Sequence, residues 1–219
     1  MGGKPTVAII DDDDSVRRSL LRLLKRAAYE VCAFASAREF LASSDCDTVS
    51  CVVSDLRMPG FDGLQLQEAL RQKVPHLSLV MITGHSDVPA TVKAMKAGAV
   101  DFLEKPVLGS VLMEAIQQAV ERSRRLKAAN TEINQLKARY EKLTPREREV
   151  LALVAAGLLN KQIAAELGAA EKTIKQHRGR VMVKMRAQSL ADLVLMAESL
   201  GVRPAEADFS KAKGRLSIG

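Results

Sequence analysis

Aromatic side chains make up only 3% of the 219 residues. Single-stranded nucleic acid is held largely by stacking bases on aromatic rings, so this scarcity argues against such a partner and leaves duplex DNA the better candidate among nucleic acids. Cysteine is also sparse: Cys32, Cys46 and Cys51 are odd in number, lack CxxC spacing and lie in or near apolar segments. They read as buried free thiols rather than a disulfide or a metal site. Nowhere is there an uncharged apolar run of about eighteen residues, the length that spans a membrane. The start, MGGKPTVAII, holds no apolar stretch of signal-peptide length. A soluble cytoplasmic chain with no membrane partner is expected, long enough for two small domains with separate cores.

Charge is plentiful but uneven. Residues 1–120 carry 13 Lys/Arg and 15 Asp/Glu, a net of −2, whereas residues 121–219 carry 20 and 11, a net of +9. An acidic catalytic or signalling half joined to a half that attracts a polyanion fits this asymmetry.

In the first half, TVAII (6–10), YEVCAF (29–34), TVSCVVS (48–54), LSLVMI (77–82) and VDFL (100–103) are short apolar or β-branched runs. Amphipathic stretches separate them. Over 15–27, Val16, Leu20, Leu23, Leu24 and Ala27 share one helical face, and arginines and a lysine fill the rest. Five strands alternating with helices predict a parallel sheet covered on both faces, with its active edge at the carboxyl ends of the strands.

Polar residues collect at those ends: Asp11 to Asp14 after the first strand, Asp55 at the third, Thr83, Gly84 and His85 at the fourth, and Lys105-Pro106 after the fifth. Each has an ordinary use, as a helix cap, a turn or an exposed charge. Together, at separate strand ends, they point to one pocket. Three nearby carboxylates would raise one another's pKa unless a cation neutralised them, and oxygen-only ligands suit Mg²⁺. An aspartate beside such an ion and a lysine can attack a phosphoryl group, and a threonine hydroxyl can bind the new phosphate.

Asp11-Asp12, Asp55 in VVSDLRMPGFDG, Thr83 in VMITGHSD and Lys105 in DFLEKP together resemble the receiver domain of bacterial two-component response regulators, over residues 5 to about 122. The resemblance implies that Asp55 is the phospho-acceptor. It implies that Asp11 and Asp12 hold Mg²⁺ with Asp55 and the backbone carbonyl of Arg57, and that Thr83 and Lys105 bind the phosphate. It also implies a cis Lys105-Pro106 bond aiming the lysine inward. Phe102 occupies the position of the switch aromatic that moves with Thr83; an ordinary half-buried strand phenylalanine remains the alternative.

Between Glu121 and Leu143 there is no Gly or Pro, and Leu126, Ala129, Ile133, Leu136, Tyr140 and Leu143 are spaced 3, 4, 3, 4, 3. This predicts a helix continuing from about residue 110, whose seam either pairs with a second chain or packs on its own domains. A new domain begins at LTPREREVLALVAAGL, with Thr144 as N-cap, Pro145 at the first helical position and Glu147 closing a capping box. A short helix from Asn160 through Leu167 is stopped by Gly168, and a third helix covers about 171–186. Ile174, Val181 and Met185 share one face; Lys172, Lys175, Gln176 and Gly179 lie opposite, with Arg180 and Lys184 toward the flanks. Lys172 to Arg186 holds six cations and no acid. A tight turn between short helices followed by a cationic helix suits entry into a major groove.

LTPREREVLALVAAGLLNKQIAAELG and TIKQHRGRVMVKM resemble the LuxR-type helix-turn-helix domain, over 142 to about 202. With the receiver, this resembles the NarL/FixJ subfamily of transcription regulators. By that resemblance Lys175 and Gln176 face bases while Lys161, Thr173 and Arg180 touch the DNA backbone. Ala170 departs from the Ser or similar cap that often begins the recognition helix. The fourth helix, SLADLVLMAESL, either supports a dimer on DNA or serves core packing.

The expectation is therefore an α/β receiver with a five-stranded parallel sheet of flavodoxin/CheY-like type (1–122), a helical linker (123–141), an all-α helix-turn-helix domain (142–203) and a disordered tail (204–219). It would not be an enzyme but a regulator that accepts phosphate on Asp55 from a sensor histidine kinase and binds double-stranded promoter DNA as a homodimer, at least when phosphorylated. One alternative is a Mg²⁺-dependent haloacid-dehalogenase-type phosphatase, because DDDDSV fits DxDx[ST]V with Asp11 as nucleophile and Asp13 as general acid. It needs further carboxylates after the fourth strand, where only Asp87 stands, and leaves Asp55 and residues 144–202 without a role. Another alternative is a receiver that regulates by protein contact without a DNA step.

Overall fold

The computed structural model describes residues 4–84 and 88–203, without the side chains of residues 46, 47, 88 and 90. His85, Asp87, the Cys46 side chain and the tail 204–219 lie outside the described residues. The chain divides into two units, Met1–Ala129 and Asn130–Gly219.

In the first unit, β1 (Thr6–Ile10), β2 (Glu30–Phe34), β3 (Cys51–Asp55), β4 (Ser78–Thr83) and β5 (Asp101–Glu104) alternate with α1 (Asp14–Arg26), α2 (Ala37–Ala42), α3 (Gly63–Lys73), α4 (Val88–Lys96) and the start of α5 (Gly109–Glu141). All strands pair in parallel, in the order β2-β1-β3-β4-β5. Strand side chains alternate between faces, and both faces are apolar. Ala8, Ile10, Val52 and Met81 pack with Phe40, Leu66, Leu70 and Ala94, while Val7, Ile9, Val53 and Val80 pack with Leu24, Leu112 and Ile116. Burying each large side chain of this kind stabilises by about 1.5–3 kcal/mol.

The expected elements are present; β2 starts one residue later than expected, β4 and β5 each lie one residue further along, and β3 shows the largest shift. TVSCVVS predicts a strand from residue 48, but β3 starts at Cys51. Thr48 instead ends a short 3-10 turn, its amide and hydroxyl donating to the Asp45 carbonyl at 3.0 and 2.9 Å. Local bonding of this kind competes with a strand ladder for the backbone.

The second unit contains α6 (Pro145–Ala155), α7 (Asn160–Glu166), α8 (Glu171–Met185) and α9 (Leu190–Ser199). The capping box forms as expected: Thr144 Oγ1 accepts from the Glu147 amide and Glu147 Oε2 from the Thr144 amide. Val150, Leu151, Ile163, Ile174, Val181, Met185, Leu193 and Ala197 form the core. Gly168, at φ +61°, supplies the left-handed residue of the turn between α7 and α8. Ala170 caps α8 with no side-chain hydrogen bond.

The 3-4 seam on α5 has two fates. Leu136 and Leu143 are buried in the second unit's core, with Tyr140 packed against it. Leu126 and Ile133 remain 41% and 39% exposed. Leu193 and Ala197 of α9 are core residues, whereas Leu195 is 61% exposed, so α9 serves packing on one face and leaves the other open.

Candidate functional site

The strand order reverses direction between β1 and β3, and crevices at such switch points hold ligands in open α/β sheets. β1 delivers Asp11 to this crevice and β3 delivers Asp55. Both are almost wholly buried, and Lys105, following β5, reaches between them: Nζ lies 2.7 Å from Asp11 Oδ2 and 2.8 Å from Asp55 Oδ1. The Lys105-Pro106 peptide is cis. The Lys105 amide donates to the Thr83 carbonyl at 2.7 Å, tying the β5 exit to the end of β4, and buried Thr83 sits at that end. The Arg57 amide donates to Asp55 Oδ2 at 3.0 Å. Gly63, opening α3, packs so closely that a Cβ there would lie 2.8 Å from the Asp55 carbonyl oxygen.

The electrostatics follow from burial and this one ammonium. Burial raises the Asp55 carboxyl above its ordinary value, and Lys105 offsets only part of that rise. Burial pushes the Lys105 ammonium down, but its bonds to Asp11 and Asp55 outweigh this and hold its pKa above the ordinary lysine value. Among the described residues, this cluster sets two carboxylates against one ammonium.

Of the three carboxylates expected to converge, Asp11 and Asp55 meet at Lys105. Asp12 is exposed, and no group of three or more His, Cys, Asp or Glu side chains among the described residues is placed to hold a metal. The donor chemistry nevertheless fits a hard divalent ion: oxygen ligands only, from two carboxylates beside an exposed aspartate. Of the other acidic residues, Asp13 is the N-cap of α1, accepting from the Ser15 and Val16 amides at 2.7 and 3.3 Å. Asp14 pairs with Arg17 and Arg18 at 3.1 and 3.0 Å. Phe102 is partly buried against the sheet core.

Arg17 was not singled out from the sequence. Its guanidinium donates to the Asp11 carbonyl at 2.7 Å and binds Asp14, bracing the loop that presents Asp11. Its spacing three residues after Asp14 was the available signal.

In the second unit, Lys161 on α7 and Lys172, Thr173, Lys175, Gln176 and Arg180 on α8 are all exposed. The cationic run is less uniform than it read. Lys184 Nζ is bound to Glu147 Oε2 at 2.6 Å, and Arg178 donates to Asn160 Oδ1 at 3.0 Å.

A parallel-sheet unit with a lysine-bridged aspartate pair at its switch point, followed by a helix-turn-helix unit with an exposed cationic helix, defines a receiver coupled to a DNA-binding domain. Comparison with known proteins agrees. The response regulator receiver domain family matches residues 7–117, and the family described as bacterial regulatory proteins, luxR family, matches residues 141–197. The chain belongs to the two-component response regulators of the NarL/FixJ type. It is 51% identical over 199 residues to nodulation protein W of Bradyrhizobium diazoefficiens, covering 91% of this chain and 88% of that one. It is 43% identical to the transcriptional regulatory protein FixJ of Rhizobium meliloti, covering 91% and 98%. Among solved structures, the response regulator StyR superposes with a TM-score of 0.78 at 45% identity, covering 89% of this chain and 98% of that one. The chain is thus a response regulator with a LuxR-type DNA-binding domain, a transcription regulator of a two-component system.

Proposed function

We propose that a sensor histidine kinase donates a phosphoryl group to Asp55, and that the phosphorylated chain pairs with a second copy and binds double-stranded promoter DNA. The observation that carries this reading is the Asp55 carboxylate at the sheet's switch point, ion-paired to Lys105 2.8 Å away. In the transfer, an Asp55 oxygen forms a bond to phosphorus as the phosphorus–nitrogen bond of the kinase phosphohistidine breaks; the imidazole leaves with that electron pair and takes up a proton. Lys105 stays charged at neutral pH and stabilises the transferring oxygens, and Thr83 binds the phosphate through its hydroxyl. Mg²⁺, held by Asp11, Asp12, Asp55 and the Arg57 carbonyl, would neutralise charge on the phosphoryl group when bound. Thr83 and Phe102 then pass the change to the face of the fourth helix, fifth strand and fifth helix, where ordering favours pairing.

On DNA, Lys175 and Gln176 face base edges, while Lys161, Lys172, Thr173 and Arg180 contact phosphates from exposed positions. The regulator acts in the cytoplasm; among the described residues no helix is long and apolar enough to cross a membrane. The phosphatase alternative asks Asp13 to deliver a proton, but that carboxylate is engaged in capping α1. The test is intact-mass measurement after incubation with a small phosphodonor and Mg²⁺. One phosphoryl group is expected on the wild type and none on Asp55→Asn; equal uptake by both would refute Asp55, and sustained multiple turnover would favour the phosphatase.

A further inference from the structure

Glu147 is a carboxylate that is 2% exposed in a domain whose surface is cationic. Its role in the capping box accounts for one bond, from the Thr144 amide at 2.8 Å. The second bond comes from α8: Lys184 Nζ donates to the same oxygen, Oε2, at 2.6 Å. Burial acts to raise the Glu147 carboxyl, but Lys184 and the Thr144 backbone outweigh it and hold the group below the usual carboxylate range. Glu147 is therefore a carboxylate at neutral pH, held in an ion pair by Lys184. Two residues separated by 37 positions join the start of α6 to the last turn of α8. Arg139 reinforces the same end, donating to the Met185 carbonyl at 3.3 Å.

We propose that Glu147 and Lys184 are positioning residues for DNA recognition: the pair fixes α8 against α6, and Lys184 does not bind phosphate. This rests on the DNA-binding reading above. A lysine that neutralises a phosphate releases counterions and adds close to one unit to the salt dependence of binding. Lys184 is already neutralised by a buried acid, so it contributes orientation rather than that release. The consequence runs against simple charge counting. Glu147→Gln makes the domain more cationic, which by charge alone would tighten binding; loss of the clamp weakens it instead. Gln retains an oxygen for the Thr144 amide, so the N-terminal cap of α6 is kept.

The test uses the full chain and a fluorescent mixed-sequence duplex, titrated by anisotropy over a salt series, below the unfolding midpoint of every variant. Glu147→Gln and Lys184→Met are each expected to bind about tenfold more weakly at fixed salt, with the combined variant no worse than either alone. The slope of log affinity against log salt should match wild type in all three, whereas Lys172→Met, a control at an exposed phosphate-facing position, should lower it by close to one. Helix content by circular dichroism separates repositioning from unfolding. Binding by Glu147→Gln as tight as wild type or tighter, or a slope reduced by about one in Lys184→Met, would overturn the proposal. A wild-type chain with no salt-dependent duplex binding would instead defeat the DNA-binding reading itself.

Discussion

Replacing Lys105 by methionine keeps the aliphatic stem and removes the ammonium that binds both Asp11 and Asp55. The lost contacts are two charge-assisted hydrogen bonds of 2.7 and 2.8 Å, to side chains only 3% and 8% exposed. At about 1.5–3 kcal/mol each, they set an upper figure of about 3–6 kcal/mol. The Lys105 side chain is itself 26% exposed, and the abandoned carboxylates can share a proton, so the expected cost is about 2–3 kcal/mol at neutral pH. Hydrogen exchange with mass detection, on peptides from β1, β3 and β4 across a urea series, reads the first unit separately from the second. The pH dependence has a definite sign. Asp55 has a folded pKa above its ordinary 3.8, so the folded state holds more protons in the window above 3.8 and stability falls as pH rises through it. Without Lys105 the rise is larger; the penalty of Lys105→Met should shrink as pH is lowered toward 3.8. It should also shrink in an Asp55→Asn background, where only Asp11 needs a partner. A cost below about 0.5 kcal/mol, the level of an exposed ion pair, or one independent of pH and of Asp55, would refute this account of the pocket.

Gly63→Ala would push a methyl to 2.8 Å from the Asp55 carbonyl oxygen and 3.0 Å from the Leu56 Cα; urea melts should show a loss of about 1–3 kcal/mol, with slower phosphate uptake. Ala170→Ser supplies the cap that α8 lacks and should raise the second unit's stability by about 1 kcal/mol in thermal melts. Asp12→Ala should abolish Mg²⁺-dependent phosphate uptake by intact mass, whereas Asp14→Ala, which breaks two exposed pairs with Arg17 and Arg18, should cost under about 1 kcal/mol and leave uptake intact. Glu147 titrates below its ordinary 4.5 in the folded chain, so its contribution is full above 4.5 and is lost as pH falls through the lowered value; acid melts of Glu147→Gln should lack that component.

Much of the fold was legible because its signals are local. Short β-branched runs between amphipathic stretches marked the parallel sheet, and the Thr144-Pro145-Glu147 start marked α6 to the residue. The order of polar residues at strand ends also pointed to Asp11, Asp55 and Lys105, which meet because a parallel sheet brings its carboxyl ends to one edge. What remained hidden depends on competition between partners. Nothing in DDDDSVRRS states that Lys105 occupies the space between Asp11 and Asp55 while Asp12 faces water. Lys184 read as one more cation on a helix face because its buried partner lies 37 residues earlier. The seam on α5 was ambiguous for a similar reason: spacing shows which residues share a face, and only packing shows that Leu136 and Leu143 are taken up by the second unit's core.

The central claim is that a phosphate on Asp55 controls DNA binding. The most direct measurement is the affinity of the full chain for duplex promoter DNA, with and without a small phosphodonor and Mg²⁺, in wild type and Asp55→Asn. The account predicts that the phosphodonor tightens binding by the wild type, together with a shift from monomer to dimer in light scattering, and leaves Asp55→Asn unchanged. An equal response in both proteins, or phosphorylation of Asp55 without any change in DNA affinity, would contradict it.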